Sequence, residues 1–446
     1  MSWVFNSGLV PGEESVENLM YMHPRDQIVE LMGRIYGNGL TTTSGGNLSI
    51  LDAEGNIWIS PASIDKGTLR REDIVCVKPD GEMLGPHKPS SEFPFHRDIY
   101  KLRPDVRAIV HAHPPTLVSF SVAGQIPNTA VFPTAKSICG TVGYAPYEVP
   151  GSEALGRNVS AAFAEGHSTI LLENHGTCCA GNSLLQAFQR FETLDFCARL
   201  ILGGLRIGQP VYLTEPQMEY YAIDRNVDFH EFVPDSRTSQ EMEMRYQMAL
   251  LIRRAYRQQL FTSTEGTFGC RLDKDSFLVT QRTLDRGTIQ PEDLVLVRGH
   301  QHETGKKLSR GAWFIKAIFD ANPDINSVIL ANPPNVMAYA VTHETFDPRV
   351  IPESYILLRE VPTYPFGEHF RNLGEVTKTI SPRYPVVLIQ NDCMVTTGAT
   401  LLQAFDRLEV AEYSARATIG CKALGGMKPI TDQEIMDLVK AFHLVE

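Results

Sequence analysis

Long apolar runs are missing from this chain. No stretch approaches the ~20 residues that a membrane-spanning helix requires, so no bilayer crossing is expected. Excess positive charge is missing as well. There are 41 Lys and Arg against 52 Asp and Glu, a formal net charge of −11. Such a balance provides no electrostatic footprint for nucleic acid or an anionic membrane. An anionic substrate must therefore find its positive charge locally, from a metal or a few basic side chains. Cysteine is sparse, with eight residues that include the vicinal pair Cys178-Cys179 but no C-x-x-C. That spacing excludes a disulfide framework and a cysteine zinc site, and it points to reduced thiols packed in a core. Low-complexity segments are absent. Met1 to Gly8 lacks the basic and apolar parts of a secretory signal, so the expected location is cytoplasmic.

What is present is one domain written twice. Pro104-Asp105-Val106 leads to His111-Ala112-His113-Pro114-Pro115, while Pro323-Asp324-Ile325 leads to Leu330-Ala331-Asn332-Pro333-Pro334. Further on, Ser183-Leu184-Leu185-Gln186-Ala187-Phe188 has its counterpart in Thr400-Leu401-Leu402-Gln403-Ala404-Phe405. A chain of 446 residues is thereby divided into two domains of about 200 residues, each long enough for its own core. The expected boundaries are a first domain over 1–215, a polar, proline-bearing linker over 216–238, and a second domain over 239–446. Tyr220 and Tyr221 indicate that part of the linker packs down.

Apolar spacing in the first domain predicts helices over Arg25–Tyr36, Glu92–Lys101, from Thr116, and over Ser183–Ile201. Strands are expected at Asn47–Ile50, Ile57–Ser60, Asp73–Val77, Ala108–His113 and Thr169–Glu173. The second copy repeats the pattern, with a helix over Met242–Tyr256 and a strand over Ser276–Thr280. Strands and helices alternating irregularly between short turns favour an α/β sandwich, a mainly antiparallel sheet between helices.

His111 and His113 lie two apart on a predicted strand and project from the same face, where two imidazoles can share one metal. His175 follows another strand, and Glu92 stands at the start of a helix. Three histidines with an open coordination position form a catalytic metal arrangement rather than a closed structural one. The second copy is an internal control. His111 becomes Leu330, His113 becomes Asn332, His175 becomes Asp392 and Glu92 becomes Gly311, while the neighbouring Pro-Pro and Leu-Leu-Gln-Ala-Phe persist. Joint loss of four reactive residues marks one working site and one retired site. Other polar residues are read as bland. His96, four after Glu92 on the same helix face, could support the site but is read as a surface histidine, His300, His302 and His343 as forming no ligand set, and Lys306-Lys307 and Arg253-Arg254 as solvated charge.

Ser44-Gly45-Gly46-Asn47-Leu48-Ser49, Ser60-Pro61-Ala62-Ser63, Pro89-Ser90-Ser91-Glu92, His111-Ala112-His113, Asn174-His175-Gly176 and Tyr147 through Pro150-Gly151-Ser152 together resemble the class II aldolase/adducin family. The resemblance covers nearly all of the first half and, in degraded form, most of the second. It implies two tandem three-layer α/β/α sandwich domains and a metal-dependent carbon–carbon lyase. One divalent metal per chain, zinc foremost with iron or manganese as alternatives, would sit on His111, His113 and His175, with Glu92 as general base. It also implies anion contacts from Asn47, Gly46, Ser63, Ser90 and Ser91, although Gly45-Gly46 could equally make only a turn.

Two departures from the family pattern stand out. Its Thr-Gly is here Ala62-Ser63, which leaves phosphate cradling open. Its acid tyrosine, lent by a neighbouring subunit, has no match in Val131–Lys136; Tyr355, or Glu353, in the second copy is the candidate replacement. Retro-aldol cleavage of a small phosphorylated sugar is the type reaction. Decarboxylation of a hydroxy- or oxo-acid, epimerisation and dehydration are alternatives on the same residues, and an adducin-like assembly protein is the non-enzymatic one. Family rings of four imply a homodimer with four domains, or a higher homo-oligomer.

Overall fold

A computed structural model describes residues 19–444, apart from the side chain of Met20. These residues fall into two compact units, one holding the described residues up to Ala130 with Thr134–Arg199, the other holding Val131–Pro133 and the residues from Leu200 onward.

The first unit is built on β1 (Asn47–Leu51), β2 (Ile57–Ile59), β3 (Val75–Val77), β4 (Met83–Leu84), β5 (Ala108–Ala112), β6 (Gly143–Ala145), β7 (Thr169–Leu172) and β8 (Gly176–Gly181). They form one sheet in the order β4-β3-β2-β1-β5-β8-β7-β6, antiparallel except for the β6–β7 pair at one edge. Helices cover both faces. On one, Phe95 and Ile99 from the helix Phe93–Leu102, and Leu155, Val159 and Phe163 from the helix Glu153–Ala164, pack on Ile57, Val75, Ile109, Ile170 and Cys178. On the other, Ile28, Leu31, Met32 and Ile35 from Pro24–Gly37, and Leu184, Phe188 and Phe191 from Leu184–Gly204, pack on Leu48, Ala108, Val110 and Cys179.

Alternation along each strand makes this sandwich, because successive side chains point to opposite faces. Cys178 and Cys179 thus serve the two opposite cores, and burial pushes the thiol pKa up at both. The vicinal pair is packing. The cysteines of the described residues are all unbridged.

The second unit repeats the plan with β10 (Thr267–Arg271), β11 (Ser276–Val279), β12 (Val295–Arg298), β13 (Gln301–Glu303), β14 (Ser327–Ala331), β15 (Thr363–Tyr364), β16 (Val386–Ile389) and β17 (Cys393–Gly398). Their order, β15-β16-β17-β14-β10-β11-β12-β13, is that of the first sheet strand for strand. One strand is extra. β9 (His230–Phe232) runs parallel to β13 at the edge, and a helix spans Glu215–Ala222, so the stretch expected as a linker carries regular structure. Tyr221 and Tyr220 rest against Phe370, with ring centroids 6.0 and 5.8 Å away.

Several surface expectations are corrected. His96 is fully buried, for reasons given below. Lys306 is half-buried and pairs with Glu303 at 3.0 Å, and Arg253 donates to the Ile289 carbonyl at 2.9 Å. Only Lys307 of that group is freely solvated.

Candidate active site

The site forms where three loops and a helix start meet at one end of the first sheet. β5 ends at Ala112, so His111 lies on the strand and His113 just past it, ahead of Pro114 and Pro115. His111 shares its face of the sheet with Ile109 and meets the edge of Phe95 at 5.6 Å between ring centroids. His175 sits in the tight β7–β8 turn, where Asn174 takes a left-handed conformation (φ 49°) suited to its short polar side chain. Ser121 braces that turn, accepting from the His175 N–H at 3.1 Å and donating to the Leu172 carbonyl at 2.6 Å. In the second unit Asn391 occupies the same turn with φ 53°. The scaffold of the turn has outlived its histidine.

Glycines let the ring-bearing segments converge. A Cβ on Gly46 (φ +73°) would stand 2.7 Å from the His111 carbonyl oxygen. One on Gly45 would stand 2.9 Å from His113 Nδ1, and one on Gly176 2.6 Å from His113 Cδ2. No side chain fits at such distances. Gly45-Gly46 is therefore a close-approach device for the histidine strand, beyond any turn it makes.

The three imidazoles have potential ligand atoms within 4.8 Å of one another, the only such His, Cys, Asp or Glu group of three or more among the described residues. His111 Nδ1 lies 2.9 Å from the Thr177 carbonyl. Only an N–H can satisfy that oxygen, so Nε2 carries the lone pair and faces His113 Nε2 at 3.1 Å. Fixing the remote ring nitrogen by a backbone carbonyl is how a metal-binding histidine is oriented. Burial and the His111 ring bring the pKa of His113 down to about 3 and that of His175 to about 4, leaving both as neutral donors. The residues present fit a divalent ion: three convergent imidazole nitrogens, with the Glu92 carboxylate alongside.

Glu92 precedes the helix Phe93–Leu102 without bonding to its backbone. Its Oε2 lies 3.2 Å from His111 Nε2 and its Oε1 3.3 Å from His175 Nε2, and Oε1 is buried with no hydrogen-bond partner. Burial alone would raise the pKa of this carboxyl, but the His111 ring beside it holds it well below the carboxylate range. The reciprocal effect raises His111: burial pulls its pKa down and Glu92 more than restores it.

Asn47 pairs across the sheet with His111. Its amide donates to Glu92 Oε2 at 2.7 Å and its oxygen faces His96 Nε2 at 2.5 Å, which leaves a single N–H for any further contact. Ser90 is buried and its hydroxyl accepts from the Glu92 N–H at 3.3 Å, while Ser91 and Ser63 are exposed. Ser63 holds a left-handed conformation (φ 57°), so the loop keeps the shape that the family gives to glycine. Lys66 escaped the sequence reading. It is buried, its ammonium donates to the Pro61 carbonyl at 2.7 Å, and burial lowers its pKa to about 8. Its counterpart Arg286 is also buried and bonds the Glu265 and Gly266 carbonyls, each at 3.0 Å. A buried cation is kept in both copies and bonds backbone carbonyls in both, of the Pro61 loop in the first and of the loop matching Gly45-Gly46 in the second. Tyr355 belongs to the second unit, on the helix Pro352–Leu358. There it lines an open cleft of about 920 Å³ with Arg383, Tyr384 and Lys440, and the Arg359 guanidinium lies 5.3 Å from its ring.

The corresponding place in the second unit has been rebuilt. A Cβ on Gly311 would lie 2.5 Å from Leu330 Cδ1, so the leucine in place of His111 fills the space that Glu92 vacates. Asp392 meets the buried His369 at 3.2 Å. Residues between the two copies pack against the start of the helix Ala312–Ala321 and against Phe370. Asn226 donates to the Ser309 carbonyl at 3.0 Å and accepts from the Trp313 N–H at 3.2 Å, and Arg225 lies 3.7 Å from the Phe370 ring centre.

Comparison with known proteins agrees with this geometry. The profile of the Class II Aldolase and Adducin N-terminal domain matches residues 26–202 and again 246–419. A 5-deoxy-D-ribulose 1-phosphate aldolase of Bacillus thuringiensis is 35% identical over 46% of this chain and 96% of its own length. A 3-oxo-tetronate 4-phosphate decarboxylase of Haemophilus influenzae is 32% identical over 44% and 94%. A solved L-fuculose 1-phosphate aldolase is 29% identical over 46% and 97%, with a TM-score of 0.41. Two matched regions, two sheets of one strand order and one surviving histidine cluster lead to a single conclusion: the chain belongs to the class II aldolase and adducin N-terminal domain family, whose domain it carries twice.

Proposed function

We propose that the chain is a metal-dependent carbon–carbon lyase, with one site in its first half that cleaves a small phosphorylated ketose by a retro-aldol reaction. The carrying observation is the convergence of His111, His113 and His175 beside the buried, unbonded Oε1 of Glu92. The three histidines would hold a divalent ion, zinc foremost. When bound, such an ion supplies Lewis-acid polarisation of a carbonyl oxygen, the sink that a carbanion at the adjacent carbon requires.

Glu92 handles the proton at that carbon. In cleavage, the C4 hydroxyl gives its proton to the group that faces it as the C3–C4 electron pair passes to the enediolate. Glu92, ionised at rest, takes up one proton from that group or from solvent, and Oε1 delivers it to C3 to form the ketone. In the reverse direction the same oxygen takes it. Gly45-Gly46, Ser63, Ser90, Ser91 and the free N–H of Asn47 bound the region for the substrate anion, in a chain that is otherwise strongly acidic. Tyr355 or Glu353 is the proposed partner for the C4 oxygen, since Val131–Lys136 offers no tyrosine. The second half is proposed to be non-catalytic, and the assembly to be a homodimer or higher homo-oligomer.

Decarboxylation is the second reading. It uses the same carbonyl sink but has no leaving aldehyde, so it does not call for the missing tyrosine; the Haemophilus influenzae relative bears such a name. Assay of the zinc-loaded chain on 5-deoxyribulose 1-phosphate, L-fuculose 1-phosphate and 3-oxo-tetronate 4-phosphate separates the two. Release of dihydroxyacetone phosphate with an aldehyde supports the aldolase, and release of carbon dioxide the decarboxylase. Turnover of none by a chain that binds the ion would sink both.

A further inference from the structure

Glu92 heads a chain of five buried polar side chains, four of them behind it. Asn47 Nδ2 donates to Glu92 Oε2 at 2.7 Å. Asn47 Oδ1 meets His96 Nε2 at 2.5 Å, His96 Nδ1 meets Ser49 Oγ at 2.6 Å, and Ser49 Oγ meets Tyr100 Oη at 2.6 Å. All five residues are buried, and His96 and Ser49 fully so. Each direction follows from the one before. A carboxylate only accepts, so Asn47 turns its NH₂ toward it and its oxygen toward His96. His96 must then carry its proton on Nε2, which makes Nδ1 an acceptor for the Ser49 hydroxyl. Ser49, having given its proton, accepts from Tyr100. Every donor points toward Glu92, an arrangement in which successive bonds polarise one another. Burial favours the same protonation states: it lowers the pKa of His96 to about 3, keeping the ring neutral, and raises that of Tyr100, keeping its hydroxyl protonated.

The second half removes this chain entirely. Through the matching strand registers and helices, Asn47 corresponds to Thr267, Ser49 to Gly269, Glu92 to Gly311, His96 to Ile315 and Tyr100 to Phe319. Ile315 and Phe319 are core residues there, and Ile315 Cγ2 lies 2.5 Å from where a Cβ on Gly269 would stand. Isoleucine over glycine thus replaces histidine on serine with a packed apolar contact. The same scaffold forms with this apolar set, so the domain fold does not by itself require the polar network. The network disappears together with the carboxylate it serves.

We infer that Asn47, His96, Ser49 and Tyr100 form a positioning relay that fastens Glu92 Oε2 and so presents Oε1 as the proton-transferring atom. The inference rests on the lyase reading for the word catalysis, but not for the position of Glu92. None of the four touches the reacting atoms except through Asn47, so the remaining three act at a distance.

The test transplants the second half's own solution, S49G/H96I/Y100F, into the first. The triple variant should fold, hold the same zinc per chain as wild type, keep KM within about threefold and lose at least about tenfold in kcat. His96→Gln, which retains a planar donor and acceptor, should recover part of the kcat lost in His96→Leu. Undiminished kcat would overturn the relay. So would loss of zinc along with kcat, because the network would then be holding the ligands rather than the base. Should the triple exchange prevent folding, Tyr100→Phe alone, which deletes the far hydroxyl, carries the same test with a smaller loss. If the wild-type chain turns over none of the substrates, crystal structures of the zinc-loaded wild type and triple variant decide instead. A single Glu92 conformer in the first and a rotated or multiple one in the second supports the relay, and an unmoved Glu92 overturns it whatever the reaction.

Discussion

At the scale of single residues, the side chains of the candidate site differ in what each is already bonded to. His111 has its Nδ1 committed to the Thr177 carbonyl, whereas Glu92 keeps one oxygen free of hydrogen bonds. Replacing Glu92 by Gln should therefore leave metal content at the wild-type level while reducing kcat by about 10²–10⁴-fold; elemental analysis beside steady-state kinetics checks both halves of that statement. The sign of the pH effect on metal binding follows from His111. Without an ion its pKa is raised above 6.5 because Glu92 outweighs burial. Below that raised value the ring is protonated, and an incoming ion must displace the proton. Zinc affinity should fall as pH drops through the upper end of the histidine range, with proton release measurable by calorimetry in buffers of different ionisation enthalpy. Affinity independent of pH between 5 and 8, about the span over which histidines titrate, would contradict it. The histidine cluster was legible in the sequence because the spacing of His111 and His113 is a strand spacing and the second copy has neither. His96 was not. Its partners Asn47 and Ser49 lie 49 and 47 residues away and meet it only after β1 pairs with β5 and the helix Phe93–Leu102 folds over them.

At the scale of elements, loops are shaped by the conformations that particular positions accept. Gly46 has positive φ and no room for a Cβ against the His111 carbonyl, so Gly46→Ala should cost about 1–3 kcal/mol and weaken metal binding as well. Denaturant unfolding with and without zinc measures the two effects separately. Ser63 presents the opposite case, a side chain in a left-handed position. Ser63→Gly should raise stability by about 1 kcal/mol with little loss of activity; a lower Tm would show that its hydroxyl carries an interaction that outweighs the strain. In the first unit periodicity found most strands and four of the helices within a few residues, but not the helix Glu153–Ala164. It missed β8, whose Gly176-Thr177-Cys178-Cys179-Ala180-Gly181 has glycine at both ends and small residues between. Six consecutive buried positions need no alternation of polar and apolar residues, so no signal of period two was there to read. It missed β9 for the opposite reason: two exposed residues followed by a half-buried phenylalanine at a sheet edge look like polar linker.

At the scale of the whole chain, duplication has produced two units with one strand order and different interiors at the same place. In the second, Leu330 over Gly311 and Ile315 over Gly269 fill with hydrocarbon what the first fills with imidazole, carboxylate and amide. Arg225 covers Phe370 from the segment between the copies, and Arg225→Ala should destabilise that unit by about 1–2 kcal/mol, read as an earlier unfolding transition with the zinc-dependent one unmoved. Restoring histidine at Leu330 alone should not create a metal site, because the second half has Gly311 in place of Glu92, and Asn332 and Asp392 in place of the other two histidines.

The measurement that bears most directly on one live site and one rebuilt site is zinc, iron and manganese per purified chain, taken beside a His111→Ala/His113→Ala variant. About one ion per wild-type chain, absent from the variant, is the expected result. No ion after reconstitution, or about two that survive loss of both histidines, would contradict it.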